Sequence, residues 1–295
     1  MENMTALVST FARAYHFLNN RTHIFADPLA IKMLADGEYA AISSNMAKGI
    51  SFFAPGFRGT DDEALRFIVD RQLSPSVLAR SAFCERALGE AVYADLRQVV
   101  VFACGYDTFS LRTKRSELTV FDLDLPEMIE DRKQRIERSG LLFTCHEVEV
   151  ACDLSNPDWK DALKMAGFDE SKPFFGSLLG ISYYLEKDAF KNLLGAISSL
   201  ASNGSSICFD YPMEDDGEHS LRNRALAAAA GEKMKARYGF GKLQEMLHDA
   251  GFTIVEHMNA EEITQAFFKA YNQENAGHVM AAPEGVGYCI AKKRS

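Results

Sequence analysis

Two acids and one glycine stand where strand-like segments end, and together they could bind an adenosine group. Gly105 follows the apolar run Val99-Val100-Val101-Phe102, and Asp122 and Asp124 close a second run. A glycine lets the main chain approach a ligand closely, and an acid about twenty residues further on can accept hydrogen bonds from two ribose hydroxyls. A tight turn at Gly105, with one acid capping the helix that starts at Pro126, explains the same residues equally well.

A third acid strengthens the ligand interpretation. Asp153 and Leu154 follow the third predicted strand, where a carboxylate can accept from an adenine amino group and a leucine can cover the ring. Taken alone, Asp153 is more typical of a helix N-cap before the turn at Asn156-Pro157. Three such positions in sheet order favour a ligand site, because open parallel sheets bind ligands at the carboxyl ends of their strands.

A sheet whose strands alternate with helices from residue 98 onward would position these residues. Continuous β-branched and aromatic runs such as 99–102 are typical of strands buried on both faces of a parallel sheet. We therefore predict an α/β fold with a doubly wound, mostly parallel, seven-stranded Rossmann-like sheet and an antiparallel last strand. The predicted strands span residues 99–102, 118–123, 146–150, 174–181, 205–209, 252–256 and 287–291.

The first 94 residues are predicted to form a helical cap, packed on a core of residues 95–295 within one continuous domain. Ser74-Pro75 should divide the helical pattern between residues 63 and 93, because proline breaks or kinks a helix interior. Residues 49–59 are rich in Gly and Phe and are predicted to form a loop. Phe52, Phe53 and Phe57 could line a lid over a substrate or pin this loop to the core.

Several motifs, in order along the chain, resemble those of the leucine carboxyl methyltransferase superfamily. The run from Gln98 to Thr108, with Leu111-Arg112 behind it, is similar to the pattern Gln-x-Val, Leu-Gly-x-Gly-x-Asp-Thr, then Arg. The other matching segments are Arg80-Ser81-x-x-x-Glu85, Phe121-Asp122-Leu123-Asp124-Leu125-Pro126, Asp153-Leu154 and Gly180-Ile181-Ser182-Tyr183-Tyr184-Leu185. The resemblance implies a class I methyltransferase core, S-adenosylmethionine as cofactor, and a carboxylate or hydroxyl oxygen as methyl acceptor.

The resemblance also implies roles for the residues around the methionine portion of the cofactor. Arg80 would bind the methionine carboxylate, a task suited to a planar guanidinium. Ala103, Gly105 and Gly180 would line this part of the site. The first glycine of the family turn is Ala103 here, so the turn must differ slightly or accept a methyl group.

For the nucleoside, the resemblance implies that Asp124 holds the ribose, with Asp122 as its rival. Asp153 and Leu154 would hold the adenine. The acid before Leu123 is Asp122 where the family usually has Glu, and the glutamate that usually precedes Gly180 is Leu179. The second change removes one polar contact expected near the cofactor.

Acceptor-side candidates are Tyr183 and Tyr184 after the fourth strand and Tyr211 after the fifth. Packing with a satisfied hydroxyl is the alternative role for each of them. Methyl transfer from a sulfonium relies mainly on alignment, so no catalytic triad is required. A carboxylate acceptor needs no base, whereas a hydroxyl acceptor needs one or a lowered pKa.

Composition argues against several function classes. The net charge of -9 and the pI near 5.4 disfavour nucleic-acid binding. Membrane spanning is not expected, because no window holds eighteen apolar residues. The six cysteines and seven histidines show no metal-ligand spacing, so we expect no metal. We predict a cytoplasmic enzyme with a small-molecule acceptor and leave its oligomeric state open.

Two alternatives remain at this point. A nicotinamide-dependent oxidoreductase could use Asp122 or Asp124 for its own ribose, although a full Gly-x-Gly-x-x-Gly is absent. A catalytically silent binding protein on the same fold would account for Ala103 and Leu179.

Overall fold

The computed structural model describes residues 4–214 and 235–294, which contain a seven-stranded sheet. Its strands are β1 (Gln98–Phe102), β2 (Thr119–Asp124), β3 (His146–Ala151), β4 (Phe174–Leu178), β5 (Ser206–Pro212), β6 (Phe252–Met258) and β7 (Val286–Lys293). The strand order is β3-β2-β1-β4-β5-β7-β6, and β7 is antiparallel to both β5 and β6 while the other pairs are parallel. The predicted doubly wound α/β fold with an antiparallel last strand is confirmed.

The strand order reverses at β1, which positions the site. β1 is buried at all five positions and pairs with β2 on one side and β4 on the other. Its apolar side chains alternate between two hydrophobic cores, Val99 and Val101 in one and Val100 and Phe102 in the other. Because the connections leave β1 and β4 in opposite directions, a crevice forms at their carboxyl ends.

Two strand ends differ from the prediction. β4 ends at Leu178, so residues 179–181 already belong to the loop that follows. β5 continues to Pro212, because Tyr211 and Pro212 pair with Gly287 and Val286 of β7. Asp210 and Tyr211 are therefore strand residues whose side chains point to opposite faces of the sheet.

Helices cover both faces of this sheet. An element does begin at Ser74 as predicted, but Pro75 does not break the helix, because helical backbone continues from Asp61 to Tyr93 through a π-helical turn at Val69–Leu73. The loop predicted over residues 49–59 contains a helical turn. The alanine run at residues 227–230, which has a helical pattern, lies outside the described residues. The helical elements are α1 (Met4–Asn19), a 3-10 turn (Ala30–Met33), α2 (Glu38–Lys48), α3 (Ile50–Phe53), α4 (Asp61–Ile68), a π-helical turn (Val69–Leu73), α5 (Ser74–Tyr93), α6 (Phe109–Arg112), α7 (Pro126–Ser139), α8 (Trp159–Met165), α9 (Lys187–Leu200), α10 (Phe240–Asp249), α11 (Ala260–Ile263), a second π-helical turn (Thr264–Phe268) and α12 (Lys269–Glu274).

The first 94 residues share a hydrophobic core with the sheet. Leu78, Phe83 and Leu88 of α5 belong to the same buried cluster as Val99 and Val101 of β1. The opposite face of the sheet packs against α8, α9 and α10. A division of the chain at residue 94 stays a prediction. Within residues 4–214 and 235–294, no helix has the length and apolar character needed to cross a membrane.

Candidate cofactor and acceptor site

The turn after β1 is built on two residues with left-handed backbone. Ala103 has a φ of 51° and Gly105 a φ of 52°. The Gly105 N–H donates to Oδ2 of Asp124 across 2.8 Å, and the Leu125 N–H donates to Oδ1 across 2.8 Å. Burial raises the pKa of Asp124, and the two amide donors oppose that rise. Asp124 therefore holds the end of β2 and the turn after β1 together.

A cavity of about 500 Å³ opens above this turn and is named here the larger cavity. Its wall includes Arg13 and Ser9 of α1, so the N-terminal helix covers it from one side. Leu179 also lines it, in place of the glutamate expected there. The predicted site residues that it brings together are Arg80, Ala103, Gly105, Asp124, Gly180 and Tyr184.

Asp122 lies elsewhere, because its side chain is held by a buried arginine. Nη2 of Arg132 donates to Oδ2 of Asp122 across 2.8 Å, and both side chains are at most 1% exposed. Ser110 donates to the same oxygen across 3.2 Å. Burial raises the pKa of Asp122 to about 6, against the opposing charge of Arg132. Asp122 does not line the larger cavity, which leaves Asp124 as the ribose candidate.

The predicted adenine pair follows β3 but does not line the larger cavity either. Asp153 is exposed, and its Oδ1 accepts from the N–H of Ser155 at 2.8 Å and from the Ser155 hydroxyl at 2.7 Å. These hydrogen bonds lower the pKa of Asp153. Leu154 is partly buried against the second core. The adenine role of this pair stays a prediction.

Arg80 lies against the loop after β4. Gly180 has a φ of 73°, and a Cβ on it would come within 2.8 Å of Nη1 of Arg80. Nη2 of Arg80 donates to Oγ of Ser9 across 3.3 Å, and Nη1 lies 3.7 Å from Oδ2 of Asp210. Asp210 was not among the predicted site residues. It could have been found by the rule that selected Asp124, since it also stands at the carboxyl end of a strand.

Asp27 is buried from solvent and connects α1 to the turn after β1. Its buried carboxylate accepts from Nε of Arg13 at 2.8 Å and from the Thr108 hydroxyl at 2.8 Å. Nη2 of Arg13 also donates to the main-chain oxygen of Tyr106 across 2.8 Å. Of these residues, Arg13 also lines the larger cavity.

Glu85 and Arg112 belong to two separate sequence motifs, and the structure pairs them. Nη1 of Arg112 donates to Oε2 of Glu85 across 2.9 Å. Nε of Arg112 donates to the Thr108 hydroxyl across 2.9 Å. This pair fastens α5, which carries Arg80, to the segment after β1, so its contribution is structural.

A second cavity of about 320 Å³, named here the apolar cavity, adjoins the larger one. The two share Thr5, Ser9, Arg80, Gly180 and Tyr184 as lining residues. The apolar cavity is also lined by Tyr183, Phe53 and other largely apolar residues, which include Val8, Met46, Ile68, Leu73, Val77 and Val286.

Two of the three acceptor-side tyrosines lie at the apolar cavity, and one does not. Tyr183 and Tyr184 line it. The expected position of Tyr211 is wrong, because β5 continues past it and turns its side chain to the other face of the sheet. Tyr211 is fully buried there, and its hydroxyl lies 2.9 Å from Nε2 of His257.

The sheet order with its antiparallel β7, and the cavity at the carboxyl ends of β1 and β4, define a class I methyltransferase. Solved structures share this fold. A DUF574 family protein from Streptomyces avermitilis matches with a TM-score of 0.60 at 14% identity, covering 97% of both chains. Magnesium protoporphyrin IX methyltransferase from Synechocystis PCC 6803, solved with bound S-adenosylhomocysteine, matches with a TM-score of 0.50 at 11% identity. That alignment covers 87% of this chain and 100% of the other.

Residues 6–198 match the model of the leucine carboxyl methyltransferase family, so this chain belongs to that family. It is 32% identical over 307 residues to a Bacillus subtilis (strain 168) protein with the provisional name S-adenosyl-L-methionine-dependent methyltransferase YktD. That alignment covers 99% of this chain and 98% of the relative. The predicted methyltransferase activity and S-adenosylmethionine cofactor are thereby confirmed, in preference to the nicotinamide-dependent alternative.

Proposed function

We propose that the enzyme transfers the methyl group of S-adenosylmethionine to a carboxylate or hydroxyl oxygen of an apolar small molecule. The observation that carries the proposal is the junction of the two cavities at Arg80, Gly180 and Tyr184. A cavity whose wall carries charged side chains such as Arg80 and Asp124, beside an apolar one, suits a charged cofactor and a largely apolar acceptor. The net charge of -9 supports a partner other than nucleic acid.

The residues present fit the cofactor. Arg80 offers a guanidinium for the methionine carboxylate, and Asp124 offers carboxylate oxygens for the ribose hydroxyls. The left-handed turn at Ala103 and Gly105 exposes main chain between these two side chains. When bound, S-adenosylmethionine supplies a methyl group on an activated sulfonium, which an acceptor oxygen can attack in line.

The chain's own contribution is alignment and the exclusion of water. Tyr184 lines both cavities, whereas Tyr183 and Phe53 line the apolar cavity alone. A carboxylate acceptor would arrive ionised and need no base, whereas a hydroxyl would have to lose its proton. The proposal therefore names no obligatory catalytic residue.

The test is transfer of tritium from methyl-labelled S-adenosylmethionine to panels of apolar carboxylic acids and phenols. Alkali separates the two acceptor types, since methyl esters release volatile methanol and aryl methyl ethers do not. Transfer confined to polar amines or to thiols would contradict the proposal.

The Val77→Trp variant tests whether the acceptor binds in the apolar cavity. Val77 is buried and lines the apolar cavity but not the larger one. We expect the indole to fill the apolar cavity and abolish transfer, while calorimetric affinity for S-adenosylhomocysteine stays within about two-fold. Unchanged transfer by this variant would show that the acceptor binds elsewhere.

A further inference from the structure

Asp210 contacts residues of both cavities while its own side chain is fully buried. Its Oδ1 accepts from the Gly180 N–H across 2.7 Å, and its Oδ2 accepts from the Tyr183 hydroxyl across 2.9 Å. Its main-chain oxygen accepts from the Ser182 hydroxyl across 2.7 Å. Three residues of the loop after β4 are thus fastened to one position on β5.

The same carboxylate faces Arg80. Oδ2 of Asp210 lies 3.7 Å from Nη1 of Arg80, whose side chain is 16% exposed. The residue before Gly180 is Leu179, which carries no charge, so Asp210 supplies the carboxylate at this loop. An ion pair with one partner fully buried is weakly screened by solvent and strongly biases the position of the other partner.

The position of Gly180 decides where the guanidinium can lie. Nη1 of Arg80 occupies the space that a Cβ at residue 180 would enter, 2.8 Å from the ideal Cβ position. Gly180 holds its left-handed φ of 73° while its N–H donates to Asp210. Asp210 therefore fixes both the charge that attracts Arg80 and the surface on which the guanidinium lies.

We propose that Asp210 is a positioning residue that holds Arg80 and the Gly180 loop ready for the methionine carboxylate of the cofactor. The inference rests on the proposed use of Arg80 for that carboxylate. Asp210 itself is fully buried and lines neither cavity. Preorganisation of a long arginine side chain removes an ordering cost that would otherwise oppose binding.

The test compares two ligands by calorimetry. S-Adenosylhomocysteine carries the amino-acid portion, and 5′-methylthioadenosine lacks it. In Asp210→Asn we expect affinity for S-adenosylhomocysteine to fall about ten-fold or more, while affinity for 5′-methylthioadenosine stays within about two-fold. Equal losses for both ligands would indicate a general structural defect and would overturn the inference, as would an unchanged ratio.

Asp70→Asn is the matched control, because Asp70 is a buried carboxylate that pairs with Arg66 and does not line the larger cavity. It should leave the affinity ratio of the two ligands unchanged. A changed ratio in this variant would show that the ratio does not report on Arg80, and the inference would fall.

A double-mutant cycle keeps the test decisive if Asp210→Asn alone does not fold. The Arg80→Gln/Asp210→Asn variant removes both charges together, so neither is left unpaired. If Asp210 acts through Arg80, the double variant binds S-adenosylhomocysteine within about two-fold of Arg80→Gln alone. A larger further loss would contradict the inference. Failure of the wild-type protein to bind S-adenosylhomocysteine would instead refute the proposed function together with it.

Discussion

The main-chain N–H of Gly105 donates to Oδ2 of Asp124 across 2.8 Å, which joins the turn after β1 to the end of β2. Asp122, two residues earlier on the same strand, has its carboxylate bound to Arg132 instead. The two acids point to the same side of β2, yet only Asp124 reaches the larger cavity. One acid therefore shapes the site and the other stabilises the fold.

Substitution should separate these two roles. Asp124→Ala removes the acceptor for the Gly105 N–H and the proposed ribose ligand. We expect affinity for S-adenosylhomocysteine to fall about ten-fold or more, because hydrogen bonds to a charged group contribute about 1.5 to 3 kcal/mol each. Isothermal titration calorimetry measures this loss.

The Asp122→Asn variant should have the opposite effect: it should lower stability and leave cofactor binding largely unchanged. It leaves Arg132 buried without its nearest carboxylate, so the free energy of unfolding should fall by about 3 kcal/mol. Affinity for S-adenosylhomocysteine should change little in the fraction that folds. Weaker binding in Asp122→Asn than in Asp124→Ala would reverse the assignment.

The sequence predicts the sheet better than it predicts which acid is used. The apolar run of β1 and the alternation of strands with helices are local patterns, and both were sufficient to predict the fold. Choosing between Asp122 and Asp124 requires the position of Arg132 on α7, a helix that packs against β2 and β3. That contact depends on tertiary packing and leaves no signal in the strand itself.

The end of β5 also depends on tertiary pairing that its own sequence does not reveal. Asp210-Tyr211-Pro212 resembles the end of a strand, since Asp and Pro are disfavoured in strand interiors. Pairing with β7, more than seventy residues later along the chain, keeps all three in the sheet. The predicted acceptor-side Tyr211 was therefore placed on the wrong face.

Ala103→Gly should stabilise the protein. Ala103 has a φ of 51°, and left-handed backbone costs a residue with a Cβ about 1 to 2 kcal/mol. Glycine relieves this cost and loses part of the gain through the greater freedom of the unfolded chain. We expect a net gain of about 0.5 kcal/mol in the free energy of unfolding, measured with urea.

The matched control is Ala41→Gly, at an exposed position within α2. Glycine in an ordinary helix should lower the free energy of unfolding by about 1 kcal/mol. Losses of similar size in both variants would mean that the backbone at Ala103 is not strained.

Asp27→Asn should loosen the N-terminal helix. Burial disfavours ionisation of Asp27, but Arg13, Arg112 and the Thr108 hydroxyl outweigh it and hold the pKa of this carboxyl below its usual value. Neutralising the side chain leaves the charge of Arg13 without its paired carboxylate, so the free energy of unfolding should fall by about 3 kcal/mol. Hydrogen exchange should accelerate in α1 more than in β1. Uniform acceleration in both would contradict a local role for this ion pair.

His16 should make the protein sensitive to mild acid. The imidazole is fully buried in α1, and Nε2 accepts from the Ile24 N–H across 3.0 Å. Burial, with a smaller contribution from the charges of His23 and Arg66, lowers the pKa of His16 from 6.5 to about 3. Because the folded pKa is the lower one, the unfolded chain takes up this proton first. The contribution to stability is complete above pH 6.5 and is lost as the pH falls towards 3.

The His16→Gln variant isolates this contribution, because glutamine keeps an acceptor for the Ile24 N–H and does not titrate. Each pH unit below 6.5 should cost the wild type about 1.4 kcal/mol from this group, or about 2 kcal/mol by pH 5. The difference in free energy of unfolding between the wild type and His16→Gln should therefore shrink by that amount between pH 7 and pH 5. Urea unfolding at the two pH values measures it, with the exposed His146→Gln substitution as the control for removing an imidazole. A difference that stays constant would show that His16 accepts a proton as readily in the folded protein as in the unfolded chain.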